Sequence, residues 1–401
     1  MTILDERWLL PVGVEEVLPP QAGQLERSRR RVLDLFSAWG YELVIPPFIE
    51  HLEALLTGTG RDLERQTFTL VDQMSGRLIG VRADMTPQVA RIDARHIAPR
   101  TPARLCYLGT VLRTRTDALA SSRSPVQVGA ELYGHGGIES DCEVMCLMLE
   151  MLACLGIPQV HIDIGHVGIF RALSSAAGFS ETQERQLLDC MQRKAGDELD
   201  ERLADLDDRQ LASWLRGLID LNGGEEVLAI ANATLGGAGA GVGRALEELE
   251  RLVSCLRARS AQAPVHFDLA ELRGYHYHTG ITFAAFVPHQ GHEIARGGRY
   301  DEIGRVFGAA RPATGFSADL KTLLTLAEGE EMAPDQAVVM APWDDDPQLH
   351  QRVASLRAQG RRVIQELPGA AMAPEIPGRM RLVRRDSGWQ LEASNGEDAG
   401  Q

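Results

Sequence analysis

Between residues 168 and 262 the chain offers helical patterns and nothing that alternates like a strand, while strand-type runs crowd both flanks. Before that stretch come YELVIPPFIE (41–50), FTLVD (68–72), RLIGVRA (77–83), RLCYLGTVLRTR (104–115), PVQVGAELYG (125–134) and VHIDIGH (160–166). After it come VHFDLAELRG (265–274), GITFAAFV (280–287) and HEIARGGRYDE (292–302), with a helix expected from about Ala318. Inside it, ETQERQLLDCMQRKA, RQLASWLRGLIDL and RALEELERLVSCLRARS place apolar residues at helical spacing. The simplest fold that satisfies this order is α+β, with a mostly antiparallel sheet assembled from both flanks and a helical insertion at 168–262.

The ends of the chain fit around that frame. A helix is expected to begin after Pro19 and Pro20 and to stop at Gly40. The double proline in YELVIPPFIE suits an edge or interface strand, because proline cannot donate to a ladder. The run IESDCEVMCLMLEMLACLG (138–156) predicts a buried helix. From 331 to 401 the chain starts again, with a β-α-β unit (AVVMAP, PQLHQRVASLRAQG, RRVIQEL), a hairpin in MRLVRRDSGWQLEAS and a frayed tail SNGEDAGQ. Two domains are therefore expected, 1–325 interrupted by the insertion, and a short α/β domain at 331–401.

Composition removes several classes of function. A formal net charge of −15 and no block of basic residues argue against a polyanion as partner. No run of 18 apolar residues occurs, and the N-terminus has acids where a leader needs apolar residues, so neither a membrane nor export is expected. Six scattered cysteines with no CxxC read as free thiols in a cytoplasmic protein, with Cys142 and Cys146 packed inside a helix core. The glycine run GGAGAGVG (236–243) lacks the Lys-Ser/Thr of a phosphate loop and follows a helix, so it is expected to connect helices.

Four segments carry polar residues that a core does not require. VRADMTPQVAR (81–91) offers Arg82, Asp84 and Thr86; LGTVLRTR (108–115) offers Arg113; VQVGAE (126–131) offers Gln127 and Glu131. ELRGYHYHTG (271–280) offers Arg273, Tyr275, His276, Tyr277 and His278. With YELVIPPFIE, GGRYDE and GFSADLKTL (315–323), these segments resemble, in order, the motifs of class II aminoacyl-tRNA synthetases, and of the histidyl-tRNA synthetase branch in particular. The resemblance covers about 8–325. It implies a class II synthetase-like sheet flanked by helices, a homodimer built on the first motif, and a pocket for histidine. In that pocket Asp84 and Thr86 would face the ammonium, Gln127 the amino-acid backbone, and Glu131 with His278 the imidazole. Arg273 would stand at the carboxylate, Tyr277 beside the ligand, and Gly297 and Gly298 would permit close approach. Arg113 falls on the arginine that grips the ATP α-phosphate in that family.

Adenylation asks for more than this pocket, and the chain departs from the enzyme pattern in four places. Thr322, after Lys321, stands where the third motif carries an arginine, and a hydroxyl supplies neither the planar stack nor the forked donors of a guanidinium. Arg115 replaces an acidic residue, and the loop TRTDALASSRSP (114–125) replaces the one that engages ATP and the acceptor stem. His276 and His278 replace an aspartate and a tyrosine, and the C-terminal domain is short. Within the family these departures resemble the regulatory subunits of ATP phosphoribosyltransferase. That likeness implies a non-catalytic partner of a short-form catalytic subunit, acting in the first step of histidine biosynthesis and transmitting feedback by free histidine. It implies no cofactor, no metal and no tRNA. Two other readings stay open: an active histidyl-tRNA synthetase, and a metal site built from His276, His278, His289 and His292.

Overall fold

The computed structural model describes residues 8–56, 61–97, 102–115, 122–259, 263–307, 310–327, 338–369 and 379–393. The chain forms two compact units, Met1–Glu328 and Gly329–Gln401. The tail 394–401 and residues 116–121 of the 114–125 loop lie outside the described residues.

In the first unit the strands run β1 (Glu42–Leu43), β2 (Ile49–His51), β3 (Phe68–Val71), β4 (Leu78–Val81), β5 (Ala103–Thr110) and β6 (Val126–Tyr133). They continue as β7 (His161–His166), β8 (Asn222–Gly223), β9 (Val265–Asp268), β10 (Ile281–Phe286), β11 (Ala295–Arg299) and β12 (Ala313–Asp319). Nine of them form one sheet in the order β1-β5-β6-β12-β11-β10-β7-β9-β8; β2, β4 and β3 form a small antiparallel sheet. The large sheet is antiparallel except where β1 meets β5 and β7 meets β9. At its centre β12, β11 and β10, from after the helical stretch, form a block between β6 and β7 from before it.

The helices are α1 (Gln21–Ala38), α2 (Leu52–Leu56), α3 (Arg61–Gln66), α4 (Thr86–His96) and α5 (Ile138–Cys154). Next come α6 (Val167–Ala177), α7 (Glu181–Gln192), α8 (Gly196–Leu203), α9 (Arg209–Gly217), α10 (Glu226–Leu235), α11 (Ala240–Ala258) and α12 (Leu320–Leu326). Local chemistry fixes several ends. Ser180 and Gln183 close a capping box on α7, and Gly178 takes φ 66° to stop α6, a conformation that costs a glycine little. The glycine run at 236–243 joins α10 to α11.

One face of the large sheet carries the core. Val128, Ala130 and Leu132 of β6 turn that way and are buried with Cys142, Met145, Met148 and Leu152 of α5 and with Leu246 and Leu249 of α11. Each large side chain removed from water there contributes about 1.5–3 kcal/mol. Cys142 is fully buried, whereas Cys146, expected to be equally inside, is only half-buried.

Three boundaries differ from the sequence expectation. The strand in VHFDLAELRG stops at Asp268, and residues 269–280 form turns held by Tyr275 N–H to Leu272 O at 3.0 Å and His278 N–H to Gly274 O at 2.8 Å. The helix expected near Ala318 starts at Leu320, because the Asp319 carboxylate accepts from Lys321 N–H and caps it there. The helical stretch also contributes β8, which closes the sheet edge through two residues paired with β9. A two-residue strand leaves no periodicity to read.

The second unit is an α/β module. β13 (Val339–Ala341) lies parallel to both β14 (Val363–Gln365) and β15 (Met380–Arg385), and β15 turns back on β16 (Gly388–Ala393). Helix α13 (Pro347–Ala358), capped by Asp346, buries Leu349, Val353 and Leu356 against Val339 and Leu382.

Candidate functional site

The face of the large sheet opposite the core is floored with small residues. Register places Glu131 opposite Gly315, Gly315 opposite Gly298, Gly298 opposite Thr282 and Thr282 opposite Gly165, so this row crosses five strands on one face. Three of the glycines are there because a polar side chain lies across them. A Cβ on Gly315 would sit 1.5 Å from Glu131 Oε2, one on Gly129 would sit 2.4 Å from the Tyr107 hydroxyl, and one on Gly298 would sit 2.7 Å from the His278 ring. Gly297 faces the other way, against the Phe283 ring and the Gly315 carbonyl.

A continuous hydrogen-bond network spans this floor. Gln127 Nε2 donates to Asp84 Oδ1 at 2.8 Å, and Gln127 Oε1 accepts from Met85 N–H at 2.9 Å. Asp84 Oδ1 also accepts from Thr86 N–H at 2.9 Å, in the first turn of α4. The Thr86 hydroxyl lies 2.8 Å from that of Tyr107, which donates to Glu131 Oε1 at 2.9 Å. Tyr300 donates to the other carboxylate oxygen of Glu131. Tyr300 also lies edge-on to Tyr133, with ring centroids 6.4 Å apart.

Glu131 is therefore a carboxylate buried in a cage of tyrosines. Burial pushes its pKa up to about 8, against the lowering effect of the Tyr300, Tyr107 and Thr86 hydroxyls, while the nearby Asp84 charge adds to the rise. Gln127 is buried beside it.

The wall above the floor is the 269–280 segment. Tyr277 stacks on Tyr300, with centroids 5.1 Å apart and planes 27° from parallel. Its hydroxyl is buried with no hydrogen-bond partner among the described residues. His278 lies edge-on to Tyr277, and its Nδ1 likewise has no partner there. Burial, with the Arg296 guanidinium as a second cause, pushes His278 down to about 4, so its ring is neutral over the physiological range. Leaving a buried donor or acceptor unmade costs about 1–3 kcal/mol. The Tyr277 hydroxyl is such a group in the field of Glu131, whereas His278 Nδ1 faces its own loop, where a Cβ on Gly274 would lie 2.6 Å away.

Of the residues expected in the pocket, Asp84, Thr86, Gln127 and Glu131 belong to the one network, and Tyr277 and His278 border it. Arg113 stands at its edge, with Nε 3.4 Å from the Ala83 carbonyl. Arg273 is engaged elsewhere: its guanidinium binds Glu271 at 3.1 Å and Glu293 at 2.8 Å on the exposed side of the segment. The reason is the turn. With 269–280 folded as a loop, Arg273 no longer shares strand alternation with Tyr275 and Tyr277. His276 is exposed and rests edge-on against Tyr275. Among the described residues no group of three or more His, Cys, Asp or Glu is placed to hold a metal ion, so the four histidines considered above do not converge.

Tyr107 and Tyr300 were not singled out from the sequence. Tyr107 sits among apolar residues in RLCYLG, and Tyr300 follows the glycine pair in GGRYDE, so both read as ordinary strand residues. The only legible signal was glycine on the neighbouring strands. At the third-motif position, Thr322 Oγ1 donates to Asp319 Oδ2 at 2.9 Å, and Lys321 Nζ reaches Glu15 at 3.2 Å. Both side chains are occupied locally.

Residues 13–323 match the family model described as Histidyl-tRNA synthetase, and residues 336–392 match the ATP phosphoribosyltransferase subunit HisZ C-terminal domain. The chain is 55% identical over 385 residues to the ATP phosphoribosyltransferase regulatory subunit of Alkalilimnicola ehrlichii, covering 96% of both chains. It is 54% identical over 388 residues to the protein of that description from Pseudomonas putida, covering 96% of this chain and 98% of the relative. Among solved structures, a Bacillus halodurans protein described as an ATP phosphoribosyltransferase regulatory subunit/histidyl-tRNA synthetase superimposes with a TM-score of 0.80. It shares 26% identity over 91% of this chain and 94% of that one. The histidyl-tRNA synthetase of Nostoc has a TM-score of 0.77 at 19% identity, covering 94% of this chain and 91% of that one, which speaks for the fold alone. The class II synthetase-like α+β fold expected from the motifs is the fold observed.

Proposed function

The chain belongs to the ATP phosphoribosyltransferase regulatory subunits, and from that premise we propose that it binds free histidine on the Asp84–Glu131 floor and passes its occupancy to a short-form catalytic subunit. It performs no chemistry of its own. The complex it forms carries out the first step of histidine biosynthesis in the cytoplasm, and histidine feeds back on that step through this chain.

The observation that carries the reading is a contrast between two positions. The groups that suit an amino acid are assembled and partly unsatisfied, while the position that would steady a triphosphate holds a threonine bonded to its own helix cap. Histidine brings an ammonium that needs acceptors, a carboxylate that needs donors and a ring with one donor and one acceptor. Asp84 supplies the first. Glu131, Tyr277 and His278 supply partners for the ring. Arg113 lies on the Asp84 side, while Arg273 stays with Glu271 and Glu293 outside the network. Three or four charge-assisted bonds of about 1.5–3 kcal/mol each are enough for micromolar affinity, which needs ~8 kcal/mol.

Self-association belongs to the same reading. Ile45 is 80% exposed and Met74 97%, and around them Leu43, Phe48, Ile49, Leu70, Val71 and Leu78 show apolar surface on and beside the small sheet. That surface is the region of the first motif, and a second copy of this chain is the occupant that fits it.

The test mixes the purified chain with a short-form catalytic subunit and follows turnover of ATP and phosphoribosyl pyrophosphate with and without histidine. Turnover is expected to depend on this chain and to change with histidine by about 5- to 150-fold, the range of 1–3 kcal/mol of coupling. Histidine-dependent ATP–pyrophosphate exchange is expected to be absent. Exchange at an enzyme-like rate would replace this reading with that of an active synthetase.

A further inference from the structure

The wall of the cleft is held in place from outside the sheet, by the helical stretch. Arg171, on the first turns of α6, sends its guanidinium into the back of the 269–280 segment. Nη2 donates to the carbonyls of Tyr275 at 3.1 Å and His278 at 2.9 Å, and Nη1 to that of Thr279 at 3.4 Å. The same guanidinium lies 5.0 Å from the centre of the Tyr275 ring. Tyr275 turns away from the ligand floor: its ring packs edge-on against Phe170 of α6 at 5.3 Å, and its hydroxyl donates to Glu184 of α7 at 2.6 Å. Glu184 also accepts from Ser174 at 2.8 Å, which ties α7 to α6. At the two ends of the segment, Lys194 pairs with Asp268 at 2.6 Å and Val167 N–H donates to the Gly280 carbonyl at 3.1 Å.

From this geometry we infer that Arg171 is the positioning residue of the ligand wall, coupling occupancy of the cleft to the helical stretch. The inference rests on the proposed histidine site. The physical reason is the forked donor set. The carbonyls of residues 275, 278 and 279 point to one side of a turn that meets the sheet only at its end, through Thr279 N–H to the Arg299 carbonyl at 2.7 Å and Asp301 N–H to Thr279 Oγ1 at 3.0 Å, and a planar guanidinium reaches all three where an ammonium cannot. Tyr277 and His278, which face the floor, lie between carbonyls that Arg171 fixes. A ligand that moves either ring therefore pulls on α6, and through Tyr275 and Glu184 on α7. An effector formed on one face of the sheet is thus carried to helices that stand outside the cleft.

The test uses the full chain. Arg171→Ala is expected to raise amide hydrogen exchange of residues 273–279 at least tenfold without ligand, while the strands Val126–Tyr133 and Ile281–Phe286 keep their protection. Histidine affinity by calorimetry is expected to fall at least tenfold, with Arg171→Lys between the two. Tyr275→Phe, which removes one hydroxyl and keeps the packed ring, is expected to give a smaller rise in the same segment and covers the case in which Arg171→Ala does not fold. Unchanged exchange at 273–279, or a rise spread evenly through the sheet, overturns the inference. Should the unaltered chain take up no histidine, the histidine reading fails on its own and the exchange arm decides the role of Arg171.

Discussion

Glu131 is buried at 1% exposure beneath two tyrosine hydroxyls, and this sets how the protein should respond to pH. Its pKa is raised from 4.5 to about 8, so the folded state holds a proton that the unfolded chain has released. The contribution is therefore fully favourable below pH 4.5 and is lost as pH rises through about 8, a change on the order of 5 kcal/mol. His278 works with the opposite sign. Its pKa is lowered from 6.5 to about 4, so stability from that group is present above 6.5 and lost as pH falls through 4. We predict that Glu131→Gln flattens the loss of melting temperature between pH 5.5 and 8.5 and weakens histidine binding at least tenfold; a melting profile parallel to that of the unaltered chain would contradict the first part. Glu131 was legible in the sequence as a polar residue in an apolar strand. Its cage was not, because tyrosines inside strands look the same whether they bond a carboxylate or only pack.

At the scale of elements, the cleft depends on the exchange of side chains for glycine across the central strands. The Glu131 carboxylate occupies the space that a Cβ on Gly315 would need, and the Ala130 carbonyl lies 2.7 Å from the same point. Gly315→Ala is expected to cost about 1–3 kcal/mol or more by overpacking and to abolish histidine binding by displacing Glu131. Urea titration and calorimetry on the variant check the two effects. The helices α1, α5, α7, α9 and α11 and the strands β5 and β6 could be placed from periodicity, since each commits eight or more residues to one pattern. The 269–280 segment could not. Its alternation of Arg, Tyr and His imitates a strand, but Gly274 at φ 69° starts a locally bonded turn, which contacts to Arg171 and Glu184 hold and in which Arg273 faces Glu271 and Glu293.

For the whole molecule, the self-association proposed above predicts that Ile45→Glu combined with Val71→Glu, on the exposed apolar surface, lowers the sedimentation coefficient from that of a dimer to that of a monomer. An unchanged sedimentation coefficient would remove that surface from consideration. Each of the two units carries its own buried core, one on the nine-stranded sheet and one around Val339, Leu349 and Leu382. By itself, the amino-acid sequence determined the α+β class, the helical stretch between two sets of strands, and the polar segments at 84–86, 127–131 and 271–280, because those features rest on local periodicity and residue chemistry. Only the tertiary structure decided that β12 sits between β6 and β11, that Tyr107 and Tyr300 enclose Glu131, and that Arg171 bonds the carbonyls of Tyr275, His278 and Thr279. These are contacts between residues far apart in the chain, and their energy comes from burial and register that no short window of sequence contains.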